Sequence, residues 1–187
     1  TGVLLLGTIG ATSARAQGGA GTQGGAPAIE YARSEVMIPM RDGVKLYTKV
    51  FIPRNAAGPL PIMFIRTPYG IGGMEPAMLN AGYGFLAKDG YIFVGQDIRG
   101  KFKSEGEFVM QRAPRRVRND PKAIDESTDA YDTIEWLVRN VAGNNGRVGT
   151  WGNSAPGFFV ASGMIDAHPA HKAAYPSAPM IDWWLGD

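Results

Sequence analysis

The chain has 187 residues, no cysteine and a formal net charge of +2. This length and an ordinary apolar content predict one globular domain or part of one. The small net charge gives no indication of a nucleic-acid partner, and the lack of cysteine excludes disulfides, cysteine-ligated zinc and a thiol nucleophile. The densest basic cluster stands among prolines, which favours a solvated loop over a binding patch. It consists of Arg112, Arg115, Arg116 and Arg118.

The first residues resemble the end of a secretory signal. An apolar run at 2–10 is too short to span a bilayer, and a small-x-small pattern typical of a cleavage site follows at 14–16. We assign 1–16 to a signal-peptide remnant, with a disordered tail as the alternative, and 17–28 to a flexible linker. The folded part is then 29–187. This predicts a secreted or periplasmic protein whose mature form lacks a membrane segment.

Strands dominate the first half of the folded part. Alternating hydrophobicity predicts strands at 34–40 and 45–53, and the Asp-Gly pair between them predicts a hairpin. Continuous apolar runs predict strands buried on both faces at 60–66 and 91–96. A modest helical pattern at 78–88 separates them, and a polar loop follows.

Helices and strands alternate in the second half. The clearest helix is predicted at 125–140, where acidic residues precede an apolar stripe of Ala130, Ile134, Leu137 and Val138. A strand at 147–151, a helix at 158–166 and a strand at 172–176 follow. A hairpin followed by this alternation predicts an α/β fold with a mainly parallel sheet.

Four polar residues come directly after predicted strand ends, where open α/β sheets bind ligands: Tyr69, Asp97, Arg99 and Ser154. Ser154 lies between Gly152 and Gly157, in the strand–turn–helix setting of a nucleophile elbow. Side chains at the glycine positions would collide with the adjoining strand and helix. The spacing is one residue longer than G-x-S-x-G, and the motif alone is equally compatible with a structural turn.

Several ordered segments together resemble a known family. They are 37–46, 66–70, 96–100, 104–108 and the elbow. They look like the cocaine esterase/X-Pro dipeptidyl-peptidase-like (CocE/NonD) serine hydrolases, and most like the α-amino acid ester hydrolases, or β-lactam antibiotic acylases. The resemblance implies the N-terminal portion of an α/β-hydrolase domain, incomplete at its C-terminus. Full-length members add a cap and a jelly-roll domain.

The resemblance also assigns roles to residues. It implies that Ser154 is the nucleophile of a Ser-His-Asp triad, and that the Tyr69 hydroxyl and the Ala155 backbone N–H stabilise the oxyanion. A phenol donates well at such a site, although Tyr69 could instead be an aromatic residue packing on the turn. The family usually has tyrosine where this chain has Ala155, so the substrate preference stays open.

The triad acid and base of the family would lie beyond residue 187. We expect His168 and His171 to be surface residues at a helix end, and Asp166 and Asp182 to be structural. Asp187 is adjacent to the position of a family carboxylate that binds the substrate ammonium, and it is held only weakly as a substrate contact. Asp97 and Arg99 are expected to form an internal polar pair that braces loops.

The leading prediction is a serine hydrolase or acyltransferase that acts on small-molecule esters or amides through an acyl-enzyme. One alternative is an X-Pro dipeptidyl-peptidase-like peptidase. The other is a catalytically incomplete fragment, since triad serines without a base are poor nucleophiles and these 187 residues alone are expected to be inactive. We predict no cofactor and no metal, and a homo-oligomer remains open.

Overall fold

A computed structural model describes residues 28–115, 120 and 122–181. The predictions for the signal-peptide remnant, for all of the linker but its last residue, and for Asp182 and Asp187 lie outside these residues. In chain order the strands are β1 Tyr31–Pro39, β2 Lys45–Pro53, β3 Leu60–Thr67, β4 Ile92–Asp97, β5 Asn144–Asn153 and β6 His171–Ser177. The helices are α1 Pro76–Gly82, α2 Gly84–Asp89, α3 Glu126–Asn140 and α4 Ala155–Gly163.

The six strands form one sheet in the order β1-β2-β4-β3-β5-β6. β1 and β2 form the antiparallel hairpin, and β2 pairs with β4 in antiparallel register. β4, β3, β5 and β6 are mutually parallel. The prediction of an α/β fold with a mainly parallel sheet and an N-terminal hairpin is therefore confirmed.

Both faces of this sheet are covered. Along β2, Leu46 and Val50 join the core beneath α3, whereas Tyr47 and Phe51 join the core beneath α1 and α2. This is the period-two alternation of a strand, here with apolar residues on both sides. No helix in the part of the chain that the structure describes is long and apolar enough to cross a membrane.

Helix boundaries follow from local chemistry. At the start of α3, Asp125 accepts from the Thr128 N–H and the Thr128 hydroxyl accepts from the Asp125 N–H, which forms a capping box. The single helix predicted at 78–88 is wrong, because Tyr83 leaves the helical conformation between two glycines and separates α1 from α2. α4 begins three residues earlier than predicted, with a proline in its first turn.

Candidate active site

The turn between β5 and α4 holds Ser154 in an uncommon conformation. Its backbone has φ 62° and ψ −124°, a region that is costly for a residue with a side chain. The Ser154 N–H donates to the Ser177 carbonyl oxygen at 3.0 Å, and its own carbonyl accepts from the Phe158 N–H at 3.1 Å. β6 and α4 therefore fix the turn from both sides.

Two glycines make this turn possible. A Cβ at Gly152 would lie 2.4 Å from the Pro156 carbonyl carbon, and one at Gly157 would lie 2.7 Å from the Ser177 carbonyl oxygen. The predicted steric need for glycine at both positions is confirmed. The longer spacing of the motif fits because the second glycine packs against the end of β6.

The turn presents both a hydroxyl and backbone donors. The Ser154 hydroxyl is half-buried and donates to the Met180 Sδ at 3.3 Å. Ala155 is fully buried and is the first residue of α4. An α-helix leaves its first N–H groups without intrahelical acceptors, and its dipole favours negative charge at that end. An oxyanion formed beside Ser154 would face these donors.

Tyr69 reaches the same edge of the sheet from the neighbouring strand. β3 and β5 are adjacent and parallel, with Phe64 opposite Thr150. Continuing that register places Thr67 level with Asn153, so Tyr69 and Ser154 both lie just past the carboxyl ends of adjacent strands. Such strands are about 4.8 Å apart. Tyr69 is 66% exposed, which leaves its side chain accessible to a ligand.

Contacts from two other strands hold the loop that carries Tyr69. We call residues 68–75 the Tyr69 loop. The Lys49 Nζ in β2 donates to the carbonyl oxygens of Gly72 and Met74 at 2.9 and 3.2 Å. The Asp97 Oδ1 at the end of β4 accepts from the Ile71 N–H at 2.8 Å, and burial raises the pKa of Asp97. Sequence reasoning missed Lys49, although a lysine inside an apolar strand was a usable signal.

The predicted pair of Asp97 and Arg99 is wrong. Arg99 binds Asp129 and Asp42, with Nη–Oδ distances of 2.7 and 2.6 Å, whereas Asp97 binds the Tyr69 loop. Burial acts to lower the pKa of Arg99, but its hydrogen bonds to both carboxylates raise it above the usual value. Each residue braces the loops, as expected, through a different element.

The basic cluster is also not simply a solvated loop. The Arg115 side chain is largely buried and pairs with Asp125 at 3.4 Å and Asp166 at 2.9 Å. These carboxylates, one at the start of α3 and one after α4, hold the arginine side chain against the protein. Arg116 and Arg118 lie outside the described residues.

The prediction of two surface histidines is wrong. His168 is buried, its Nε2 lies 2.6 Å from Glu135, and its Nδ1 accepts from the Ala170 N–H. The His171 Nε2 lies 2.8 Å from the Thr150 hydroxyl, and burial lowers its pKa. His171 pairs with Val148, six residues before Ser154 and so about 20 Å down the strand. Neither histidine is placed to accept the Ser154 proton.

Two cavities lie near these elements, and Ser154 lines neither. One of 530 Å³ lies over α4 and the start of α3, and includes Phe158, Ile165 and Glu126. Burial raises the pKa of Glu126. The other, of 290 Å³, is lined by Tyr69 and residues beside it. Within the described residues, no cluster of acidic or histidine side chains could hold a metal ion.

Most of the chain matches known proteins. The family model described as X-Pro dipeptidyl-peptidase (S15 family) matches residues 42–186. The cocaine esterase of Rhodococcus sp. (strain MB1 Bresler) is 34% identical over 150 residues, which make up 80% of this chain and 24% of that protein.

Solved structures agree with this match. An α-amino acid ester hydrolase has a TM-score of 0.76 and 44% identity, covering 90% of this chain and 29% of its own. An aminopeptidase from a marine sediment Thaumarchaeota archaeon has a TM-score of 0.73 and 40% identity, covering 86% of this chain and 27% of its own. The chain thus spans about a quarter of the length of the relatives that it matches.

Proposed function

Because the chain belongs to the X-Pro dipeptidyl-peptidase (S15) family, we propose that it carries the nucleophile and the oxyanion donors of a serine hydrolase or acyltransferase. Its substrates are small-molecule esters or amides. The observation that carries this proposal is Ser154, held at a left-handed φ at the N-terminus of α4. Strain of this kind persists where the surrounding contacts enforce it, and it is concentrated at functional sites.

The proposed reaction has two halves. A base takes the Ser154 proton as Oγ bonds to the substrate carbonyl carbon, and the carbonyl electrons move onto oxygen. The Ala155 N–H and the Tyr69 hydroxyl donate to that oxyanion. The oxyanion electrons then re-form the carbonyl as the bond from carbon to the leaving group breaks, the protonated base gives its proton to the leaving group, and an acyl-enzyme remains. Water completes hydrolysis, whereas an amine in its place gives acyl transfer.

The base and its orienting acid are proposed to come from further sequence of the natural protein. The length of the relatives supports this, and both described histidines are engaged elsewhere. Met180 also has to release the Ser154 hydroxyl, because its sulfur, a weak acceptor, holds that hydroxyl in this structure.

Active-site labelling tests the proposal. The natural protein is treated with a fluorophosphonate, and the labelled peptide is identified by mass spectrometry. We expect the label on Ser154, none after Ser154→Ala, and normal labelling after Ser162→Ala, which alters a half-buried serine on the same helix. A folded natural protein that takes no label at Ser154 would contradict the proposal.

A peptidase is the second candidate, because both the family description and one structural relative name peptidases. Substrate profiling separates the candidates. A higher kcat/KM for phenylglycine methyl ester than for an X-Pro p-nitroanilide supports an amino ester hydrolase. The reverse order supports the peptidase. Both outcomes keep Ser154 as nucleophile.

We also propose a secreted or periplasmic location, supported by the apolar run and cleavage pattern at the start of the sequence. Mass spectrometry of the mature N-terminus tests it. The expected first residue is Gln17, and a mature protein that retains residues 2–10 would contradict it.

A further inference from the structure

The cavity beside Tyr69 is separate from the elbow but continuous with the oxyanion donor. It has a volume of 290 Å³ and is lined by Tyr47, Tyr69, Gly70, Gly72, Gly73, Asp97, Phe102 and Lys103. Because Tyr69 lines this cavity, a substrate bound at Tyr69 would lie next to it.

The strand order fixes where this cavity lies. β5 carries Ser154, and β3, β4 and β2 follow it in that order across the sheet. Because Thr48 pairs with Gln96, Tyr47 stands next to Asp97 at the same edge. At about 4.8 Å per strand, the cavity begins one strand beyond Ser154 and extends for roughly 10 Å more. Tyr69 therefore stands between the nucleophile and the cavity.

Two aromatic rings offer flat surfaces there. Phe102 and Tyr69 are each 66% exposed. Phe102 has a φ of 50°, which is unusual for an aromatic residue, and its ring packs against Gly70, where an added Cβ would lie only 3.0 Å from it. An exposed ring held in a strained conformation beside the oxyanion donor suits contact with a planar group of a substrate.

One ammonium group, that of Lys103, lines the cavity. The Lys103 side chain is 67% exposed, and its Nζ lies 4.5 Å from the centroid of the Tyr47 ring. Within the part of the chain that the structure describes, the Lys103 Nζ donates to the Tyr47 hydroxyl at 3.4 Å and lies 3.8 Å from a Glu35 carboxylate oxygen, which accepts from the Tyr47 hydroxyl at 2.6 Å.

The Asp97 carboxylate that lines the cavity is held by backbone N–H groups, and it also attracts the Lys103 ammonium. The Asp97 side chain is buried, and its two oxygens accept the N–H groups of Ile71 and Lys103 at 2.8 and 3.4 Å. The Tyr47 hydroxyl already donates to Glu35, and burial, together with that hydrogen bond, raises its pKa to about 12. The accessible charged group at this cavity is therefore the Lys103 ammonium.

We propose that this cavity is a substrate subsite for a planar group that bears a carboxylate. The rings of Phe102 and Tyr69 contact its face, and the Lys103 ammonium pairs with its charge. The proposal rests on the proposed function, because it takes Tyr69 as the oxyanion donor. It predicts a preference for esters or amides whose leaving portion ends in an aryl carboxylate.

Kinetics on the natural protein test this preference. The substrates are 4-carboxyphenyl acetate and its neutral counterpart, 4-carbamoylphenyl acetate. The carboxylate ester should have the higher kcat/KM, and Lys103→Met should lower the carboxylate-to-carbamoyl ratio about fivefold, the effect of one partly exposed ion pair. Lys88→Met, at an exposed lysine on α2, should leave the ratio unchanged. A ratio that does not respond to Lys103→Met overturns the subsite.

A binding measurement keeps the subsite testable without turnover. The Ser154→Ala variant of the natural protein is titrated with 4-hydroxybenzoate and with 4-hydroxybenzamide, and binding is followed by NMR. We expect tighter binding of the carboxylate, which Lys103→Met removes and added salt weakens. Equal binding of both compounds overturns the subsite. Absence of ester hydrolysis with preferential carboxylate binding would contradict the proposed function and leave the subsite supported.

Discussion

The elbow and the Tyr69 loop meet the same edge of the sheet, but different forces hold them. At the elbow, close steric contacts among Gly152, Pro156 and Gly157 set the backbone, and the end of β6 completes them. The Tyr69 loop depends instead on polar groups distant in sequence, namely Lys49 and Asp97. One half of the proposed oxyanion site is therefore shaped by sterics and the other by buried charge.

This difference predicts different effects for substitutions in the two regions. A side chain added at the elbow has no space and should disrupt the local fold. Loss of a polar contact from the Tyr69 loop should leave the fold in place and displace one donor. Stability and catalysis should therefore respond differently to substitutions in the two regions.

The largest expected effect is at the elbow. Gly152→Ala would bring a methyl group to 2.4 Å from the Pro156 backbone. We expect a loss of about 3 kcal/mol in the free energy of unfolding, together with loss of fluorophosphonate labelling. Urea denaturation measures the first. Gly58→Ala, where an added Cβ meets open space, should change stability by less than about 1 kcal/mol. Equal stability of both variants would show that the elbow is not sterically constrained.

The second effect isolates the Tyr69 hydroxyl. Tyr69→Phe should lower kcat for ester hydrolysis about 100-fold, as expected for loss of one oxyanion donor. The free energy of unfolding should not change, because the side chain is 66% exposed. Tyr175→Phe, at a similarly exposed tyrosine on β6, is the matched control. If the kcat of Tyr69→Phe equals that of Tyr175→Phe, the Tyr69 hydroxyl is not an oxyanion donor and the side chain serves only in packing.

The third effect tests the support beneath the loop. Lys49→Met removes the donor for the Gly72 and Met74 carbonyls and the 2.9 Å ion pair with Glu75. We expect roughly tenfold lower kcat with little change in KM, since the oxyanion donor is misplaced. The free energy of unfolding should fall by about 2 kcal/mol, because the buried Met74 carbonyl loses a charged donor.

Two further substitutions, Lys49→Arg and Lys88→Met, are the controls for Lys49→Met. Lys49→Arg keeps the charge and should recover part of kcat, whereas Lys88→Met removes an exposed lysine and should change neither quantity. If Lys49→Met destabilises the protein but leaves kcat unchanged, Lys49 is structural and does not position Tyr69.

The same contrast explains what the sequence could predict. Glycine spacing, hydrophobic alternation, continuous apolar runs and the apolar stripe of a helix act over a few residues, so they predicted the strands, α3 and the glycine-flanked turn at Ser154. Tyr83 split the helix predicted at 78–88 because two flanking glycines weaken it, which alternation alone does not register. Partners of buried charges were not predictable. Arg99 pairs with Asp42 and Asp129. These two residues are far from Arg99 in sequence, and only the fold brings them close to it.

The smallest expected effect concerns pH. Burial raises the pKa of Asp97, so the folded state holds its proton more tightly than the unfolded state. Its contribution to stability is complete below the ordinary aspartate pKa of about 3.9 and is lost as pH rises through the folded-state value. Asp97→Asn should remove the loss of stability with rising pH that Asp97 causes. Above about pH 4, the free energy of unfolding of this variant should therefore vary less with pH than that of the unsubstituted protein. Urea denaturation across that pH range measures it, and an unchanged pH dependence would contradict the assignment.

The central claim is that the elbow and the Tyr69 loop act on one carbonyl group. A crystal structure of the natural protein, phosphonylated at Ser154, tests it most directly, because the phosphonyl oxygen occupies the oxyanion position. We predict that the Ala155 nitrogen and the Tyr69 hydroxyl oxygen each lie about 2.7–3.1 Å from that oxygen. A Tyr69 hydroxyl turned to solvent, with another donor on the phosphonyl oxygen, would contradict the account.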